Sequence, residues 1–254
     1  NNTQSVNLQK WTDAIKIAEI TLNELNSYDE LINTSKNCII SFSDQSVLAP
    51  GQTGDERESG IMPSQAVIVD NQIVLTTCCW LENKLYPYSQ KIYRFNLNSK
   101  NLKIEHKEEL DQKYHTEHYR TNPFNYCDDR FKINSWVSGI EWVKDRHQFS
   151  SVYTIQMELF DKRNKVSSSY QVPLGKFCAI CRPIIFKESE TNFKLYFSAR
   201  TNKSDYKIYS SNFYPNKYFS PAELILEPDT GSDWCNEMVE YPFVFDCGIN
   251  RYMM

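Results

Sequence analysis

Glycine is scarce in this chain, with seven in 254 residues. So few glycines cannot build many tight loops that wrap backbone amides around an anion. The sequence has no P-loop, no G-x-G-x-x-G fingerprint and no G-x-S-x-G elbow, which sets aside phosphate-cradling, dinucleotide-binding and serine-elbow chemistry. An excess of positive charge is also missing. The 28 Lys and Arg residues are scattered among 32 Asp and Glu, for a net charge of −4. That is not the electrostatic footprint of a nucleic-acid binder, so no nucleic-acid partner is expected. No apolar run approaches the roughly 18 residues that a membrane-crossing helix needs, so no membrane span is expected. The opening "NNTQSVNLQKW" lacks the regions of an export signal, which points to the cytoplasm.

Histidine is rare as well. A structural zinc site built on the lone C-A-I-C of Cys178 and Cys181 would want a second cysteine pair or histidines at ligand spacing, and His106, His115, His118 and His147 supply neither. No metal and no cofactor are expected. Eight cysteines fall far below the density of small disulfide scaffolds and read as buried reduced thiols. A nucleophilic Cys127 with His115 or His118 is conceivable, but strand-borne cysteines are more often inert.

Hydrophobic and aromatic residues are plentiful, at 41% and 14%, and they are arranged periodically. "GIMPSQAVIVDNQIVLTTCCW", "RTNPFNYCDDRFKINSWVSGIEW", "CRPIIFKESETNFKLYFSAR" and "EYPFVFDCGINRYMM" each open a short β-type run at a proline, turn, and run back. Pro63, Pro123, Pro183 and Pro242 are spaced 60, 60 and 59 residues apart. Proline cannot donate to a strand ladder, so each should mark the head of a first strand. The turns are Asp70-Asn71, Asp128-Asp129, Glu188 to Asn192 and Asp246 to Gly248. A third strand follows in "VYTIQMEL", with Tyr153, Ile155 and Met157 on one face, and in "DYKIYSS". A fourth lies in "NLKIEHKEEL" and "AELILEP". The segment "IKIAEITL" also reads as strand. Units of about 60 residues with four antiparallel strands predict the blades of a β-propeller. A β-sandwich would not keep so long and constant a period, and the β-branched and aromatic runs disfavour a helical solenoid.

The ordered series from about residue 45 to the last residue resembles the five-bladed propellers of glycoside hydrolase families 43 and 32. It is most like their glycosidase-like relatives in bacterial surface-polysaccharide loci. The likeness is carried by "SVLAPGQTGDERESGIMPS", "WVSGIEW" with "VYTIQMEL", "CRPIIF" with "FKLYFSARTNKSDYKIYSS", and "DWCNEMVEYPFVFDCGINRYMM". It implies an all-β, five-bladed propeller over residues 1–254 as a single domain, with an incomplete fifth blade, both ends trimmed, and a carbohydrate partner.

In such a wheel the residues just before each repeated proline face a common funnel. Glycoside hydrolysis needs two carboxylates, about 5–5.5 Å apart for retention or about 6.5–9.5 Å apart for inversion. Asp55, Glu56 and Glu58 precede Pro63, Glu117 precedes Pro123, and Glu237 and Glu240 precede Pro242. Glu58 and Glu237 are the expected acid/base pair and Glu117 the spare, although acids before a strand also serve simply as solvated loop residues. Arg182, Arg120 and Glu240 are the expected substrate-binding groups, since a guanidinium can grip hydroxyls or a carboxylate bidentately. Trp234 is added for stacking on a sugar face, while tryptophans here more often pack between blades. Two departures stand out: Arg57 occupies a position where the relatives carry aspartate, and Cys235 another. Arginine stays charged at any useful pH and cannot carry the proton. A non-catalytic propeller that binds sugar or supports a neighbour in polysaccharide assembly is therefore the alternative.

Overall fold

The computed structural model describes residues 18–20, 40–42, 48, 54, 58–70, 72–81, 89–98, 100–110, 119–140, 152–201, 206–215, 217–231, 238–247 and 250–253, with several side chains, among them those of Glu58, Trp80 and Arg120, outside that description. Every regular element among them is a β-strand. They are β1 (Ala18–Ile20), β2 (Ile40–Phe42), β3 (Glu58–Val69), β4 (Gln72–Leu81), β5 (Ser89–Asn98), β6 (Ile104–Glu109), β7 (Tyr119–Cys127), β8 (Phe131–Ile140), β9 (Thr154–Asp161), β10 (Val166–Gln171), β11 (Ala179–Ser189), β12 (Asn192–Arg200), β13 (Lys207–Tyr214), β14 (Tyr218–Phe219), β15 (Glu223–Leu226), β16 (Val244–Cys247) and β17 (Asn250–Met253).

These strands form successive antiparallel meanders. One sheet runs β3-β4-β5-β6 and the next β7-β8-β9-β10. In a third, β11-β12-β13 carries β14 and β15 on the same edge of β13. That fourth strand is split because Pro221 lies between its two pieces. Two-stranded sheets, β1-β2 and β16-β17, lie at the two ends of the described chain. The fold is all-β and of the propeller type. β7 lies against β3, β4 and β5 of the preceding sheet, and β11 against β7, β8 and β9 of the one before it. β7 and β11 therefore each pack across the face of the preceding sheet.

Alternating burial along the strands makes this packing possible. In β9, Ile155, Met157 and Leu159 are buried on one face, as the alternation of the sequence predicts. They join Phe131, Ile133, Phe193, Phe197 and Phe213 in a core between the second and third sheets. Phe193 meets both Tyr126 and Phe131 edge to face at 5.4 Å, the geometry that aromatic quadrupoles prefer. A smaller core around Leu48, Ile61, Leu75 and Phe95 belongs to the first sheet. Trp136 is buried, which favours packing over stacking for that residue.

Two expectations need correction. The repeated prolines do not stand at the first residue of their strands: Pro63, Pro123 and Pro183 lie inside β3, β7 and β11. Each is next to or within a break in register, between Pro63 and Gln65, Thr121 and Phe124, and Cys181 and Ile184. A bulge releases one residue from the ladder, so a residue without an N–H is tolerated there. The thiols are also not uniformly buried: Cys78, Cys79 and Cys181 are, Cys178 is half-buried, and Cys127 is exposed because it ends β7 at a hairpin turn.

Candidate functional site

Three of the four residues that precede a repeated proline share a backbone feature. Asn122, Arg182 and Tyr241, the residues before Pro123, Pro183 and Pro242, have φ of 49°, 56° and 64°. Positive φ is uncommon for residues other than glycine, and the residue before a proline ordinarily prefers extended backbone. The same device thus recurs at one-repeat spacing at these three positions, while Met62, before Pro63, lacks it.

The result is a hub. Arg182 of β11, Met62 of β3 and Tyr241, just ahead of β16, meet although they are far apart in sequence. Arg182 Nη2 donates to Met62 Sδ at 3.3 Å and to the Tyr241 hydroxyl. The Tyr241 hydroxyl in turn donates to Met62 Sδ at 3.2 Å. The guanidinium carbon lies 3.9 Å from the Tyr241 ring centroid, a cation–π contact. Glu240 approaches from the same segment, its Oε1 3.8 Å from Arg182 Nε, which is attraction without a hydrogen bond. Among the described residues, Arg182 Nε and Nη1 are buried with no hydrogen-bond acceptor. The Cys181 thiol donates to Glu240 Oε1 at 3.5 Å, and burial, followed by the Glu240 charge, pushes that thiol well above its ordinary pKa.

The segment carrying Glu240 and Tyr241 is tied to the third sheet. Val239 N donates to Tyr206 O at 3.0 Å, and Tyr241 N to Ser198 Oγ at 3.2 Å. Behind these anchors the Tyr153 and Tyr206 hydroxyls touch, and Arg200 Nε donates to Tyr206 at 3.2 Å. Burial raises both phenols, Tyr153 to about 12.

Of the residues expected from sequence, Arg182 and Glu240 are brought together. Glu58 is the first residue of β3, its backbone paired with Leu81, and Arg120 is the second residue of β7. Glu117, Glu237 and Trp234 lie outside the described residues. Met62 and Tyr241 were not expected, because neither carries the charge that marked the acids and arginines as candidates. Their position before a repeated proline was the signal that could have found them.

Arrangement and hub together define the class as an all-β propeller-type protein in which β3, β11 and the segment before β16 bring side chains to a shared meeting point. No family model matches the chain. No curated protein matches it either. Among solved structures, it is similar to the full-length β-fructofuranosidase from Microbacterium saccharophilum K-1, with 11% sequence identity, a TM-score of 0.38, and coverage of 80% of this chain and 48% of that one. The chain spans about half the length of that protein.

Proposed function

We propose that this is a carbohydrate-active, glycoside hydrolase-like protein with five blades, acting on a glycan at the axial funnel. The observation that supports it best is the convergence of Met62 from the first sheet, Arg182 from the third, and Glu240 and Tyr241 from the segment before β16 on one point. In this reading Glu58 and Glu237 are the paired carboxylates. One protonates the glycosidic oxygen as it leaves; the other, ionised, attacks the anomeric carbon or draws a proton from the attacking water. Arg182 and Glu240 orient the sugar through its hydroxyls, with Arg120 and Trp234 contributing at the same rim and Glu117 as the spare acid. Each of these roles follows from position before a repeated proline. Cys127, Cys178 and Cys181 form no disulfide among the described residues, which supports a reducing compartment, the cytoplasm.

The test is turnover of an oligosaccharide panel by the purified full-length protein, followed by Glu237→Gln. Loss of a general acid or base should lower kcat by about 10²- to 10⁴-fold. Unchanged turnover in Glu237→Gln sinks the assignment. A second reading, a sugar-binding propeller that supports polysaccharide assembly without turnover, is favoured by Arg57 and Cys235 standing where acids are expected. Measurable hydrolysis or transfer by the pure protein defeats it.

A further inference from the structure

Among the described cysteines Cys127 alone is exposed, and its sulfur has a nitrogen for a neighbour. Lys162, the first residue after β9, donates from Nζ to Cys127 Sγ at 3.2 Å. The two residues are 35 apart in sequence, and β8 runs between their strands. One acceptor holds both groups: the Asp128 carbonyl accepts from Lys162 Nζ and, at 3.8 Å, from the Cys127 thiol. The Lys162 backbone is fixed as well, its amide donating to Arg130 O at 2.7 Å. The acids nearby are engaged elsewhere, Asp128 with Lys187 and Asp161 with Arg130, and Lys162 makes no ion pair among the described residues. Its side chain is thus committed to a carbonyl and a sulfur. Reactive cysteines sit in exposed, electropositive surroundings, and Lys162 together with Lys132, the cross-strand partner of Cys127, supplies them.

We propose that Cys127 and Lys162 form a reversible cross-linking site driven by hydrogen peroxide. The sulfur takes one oxygen of the peroxide, the O–O bond breaks and the other oxygen leaves as water, giving a sulfenic acid at Cys127. The lone pair of the unprotonated Lys162 amine then attacks that sulfur, the S–O bond breaks, a second water leaves and an S–N bond remains. The sulfur is oxidised, the peroxide is reduced, and the residue pair loses two hydrogens. Sulfenic acids condense with a nitrogen held within reach, and this one is in contact before oxidation begins. Two equivalents of a small thiol reverse the step: the first attacks the sulfur and releases the amine, and the second frees Cys127 as a new disulfide forms between the small thiols. The bond staples the end of β7 to the end of β9 across β8 and spares the thiol the irreversible sulfinic and sulfonic stages. Both residues belong to the hairpin tips, so the proposal stands apart from the glycan reading of the hub.

The test is treatment of the full chain with hydrogen peroxide, then digestion and mass spectrometry, with dimedone in a parallel sample to trap sulfenic acid. Wild type is compared with Lys162→Arg, which keeps the charge but has no amine to attack with, and with Cys127→Ser. Melting curves of the untreated variants verify their fold. Wild type should yield a peptide pair joined between Cys127 and Lys162, lighter by two hydrogens than its parts, absent from both variants and lost on adding dithiothreitol. Dimedone should label Cys127 several-fold more in Lys162→Arg than in wild type, because the sulfenic acid there goes uncaptured. Cross-linked wild type should melt about 2 °C or more above its reduced form, as expected for a bond that closes a loop in the unfolded chain. Equal dimedone labelling in the two proteins with no joined pair overturns the proposal. So does a disulfide from Cys127 to a second chain, or a joined pair that retains the peroxide oxygen.

Discussion

At the scale of single residues, the repeat is closed by side chains that reach from one sheet to the equivalent place in the next. Gln65 of β3 makes a two-way clamp with the backbone of β7: its Nε2 donates to Asn125 O at 2.7 Å, and Asn125 N donates to its Oε1 at 3.0 Å. The two residues are 60 apart, one full repeat. Asp128 and Lys187, and Arg182 and Tyr241, each join neighbouring units across 59 residues. A glutamine that satisfies both a backbone donor and a backbone acceptor is worth about 0.5–1.5 kcal/mol per hydrogen bond, and removing it leaves both partners in a half-buried place. Gln65→Ala should therefore destabilise the protein by about 1–3 kcal/mol, read as a lower midpoint in denaturant melts with the slope unchanged. A midpoint identical to wild type would mean that the clamp contributes nothing net.

At the scale of elements, the hairpins were the most legible part of the sequence. Val69 pairs with Gln72 across a two-residue connection at Asp70-Asn71, and Cys127 pairs with Lys132 around the Asp128 turn, both where the polar pairs predicted. The strand "VYTIQMEL" was legible because its alternation becomes largely an alternation of burial, whereas "DYKIYSS" lies in a strand buried on both faces from Ile208 to Ser211. β10, "VSSSYQ", was not legible: its serines lack the apolar alternation that marks a strand, and it gains its place by pairing with β9. The left-handed positions were hidden because Asn122, Arg182 and Tyr241 share a backbone shape and no side-chain chemistry, so the hub's partners could not be read from residue type. Turn chemistry itself is testable at Asp70, which is exposed and has φ of 48°. Aspartate tolerates that region and a β-branched residue does not. Asp70→Val should cost about 1–2 kcal/mol, whereas Asp70→Gly should stay within about 1 kcal/mol of wild type. Thermal melts that place Val above Gly would contradict the hairpin geometry.

At the scale of the whole molecule, the ends of the blades differ in chemistry. Lys187 lies five residues beyond Arg182 on β11, about 16 Å along the strand, and belongs to an ionic cluster at the hairpin tips. Lys187 Nζ is 2.8 Å from Asp128 Oδ2 and 3.1 Å from Glu190 Oε1, while Arg130 Nη2 is 3.4 Å from Asp161 Oδ2. Burial alone would raise the Asp128 carboxyl, but the Lys187 ammonium and the Phe131 and Arg130 amides outweigh it and hold it well below the usual carboxylate range. For Asp161, burial is likewise outweighed by the Asn164 and Arg163 amides and the Arg130 charge, and Glu190 is lowered chiefly by Lys187. A carboxyl lowered by folding binds fewer protons in the native state than in the unfolded one. Its stabilisation is complete above the unfolded pKa of about 4, begins to fall as pH drops below that value, and is gone only once pH has fallen through the lowered native-state pKa. The opposite limb comes from tyrosine. Burial raises Tyr153 to about 12 and raises Tyr206 further, so the native state keeps phenolic protons that the unfolded chain releases above about pH 10. Stability should thus hold a plateau near neutrality and fall on both sides. Lys187→Gln should lower the plateau and flatten the acid limb, because Asp128 and Glu190 lose the charge that depresses them, while leaving the fall above pH 10 in place. Denaturant midpoints measured from pH 3 to pH 11 for both proteins would decide it: an acid limb of the same depth in Lys187→Gln would show that the blade tips are not joined by these charges.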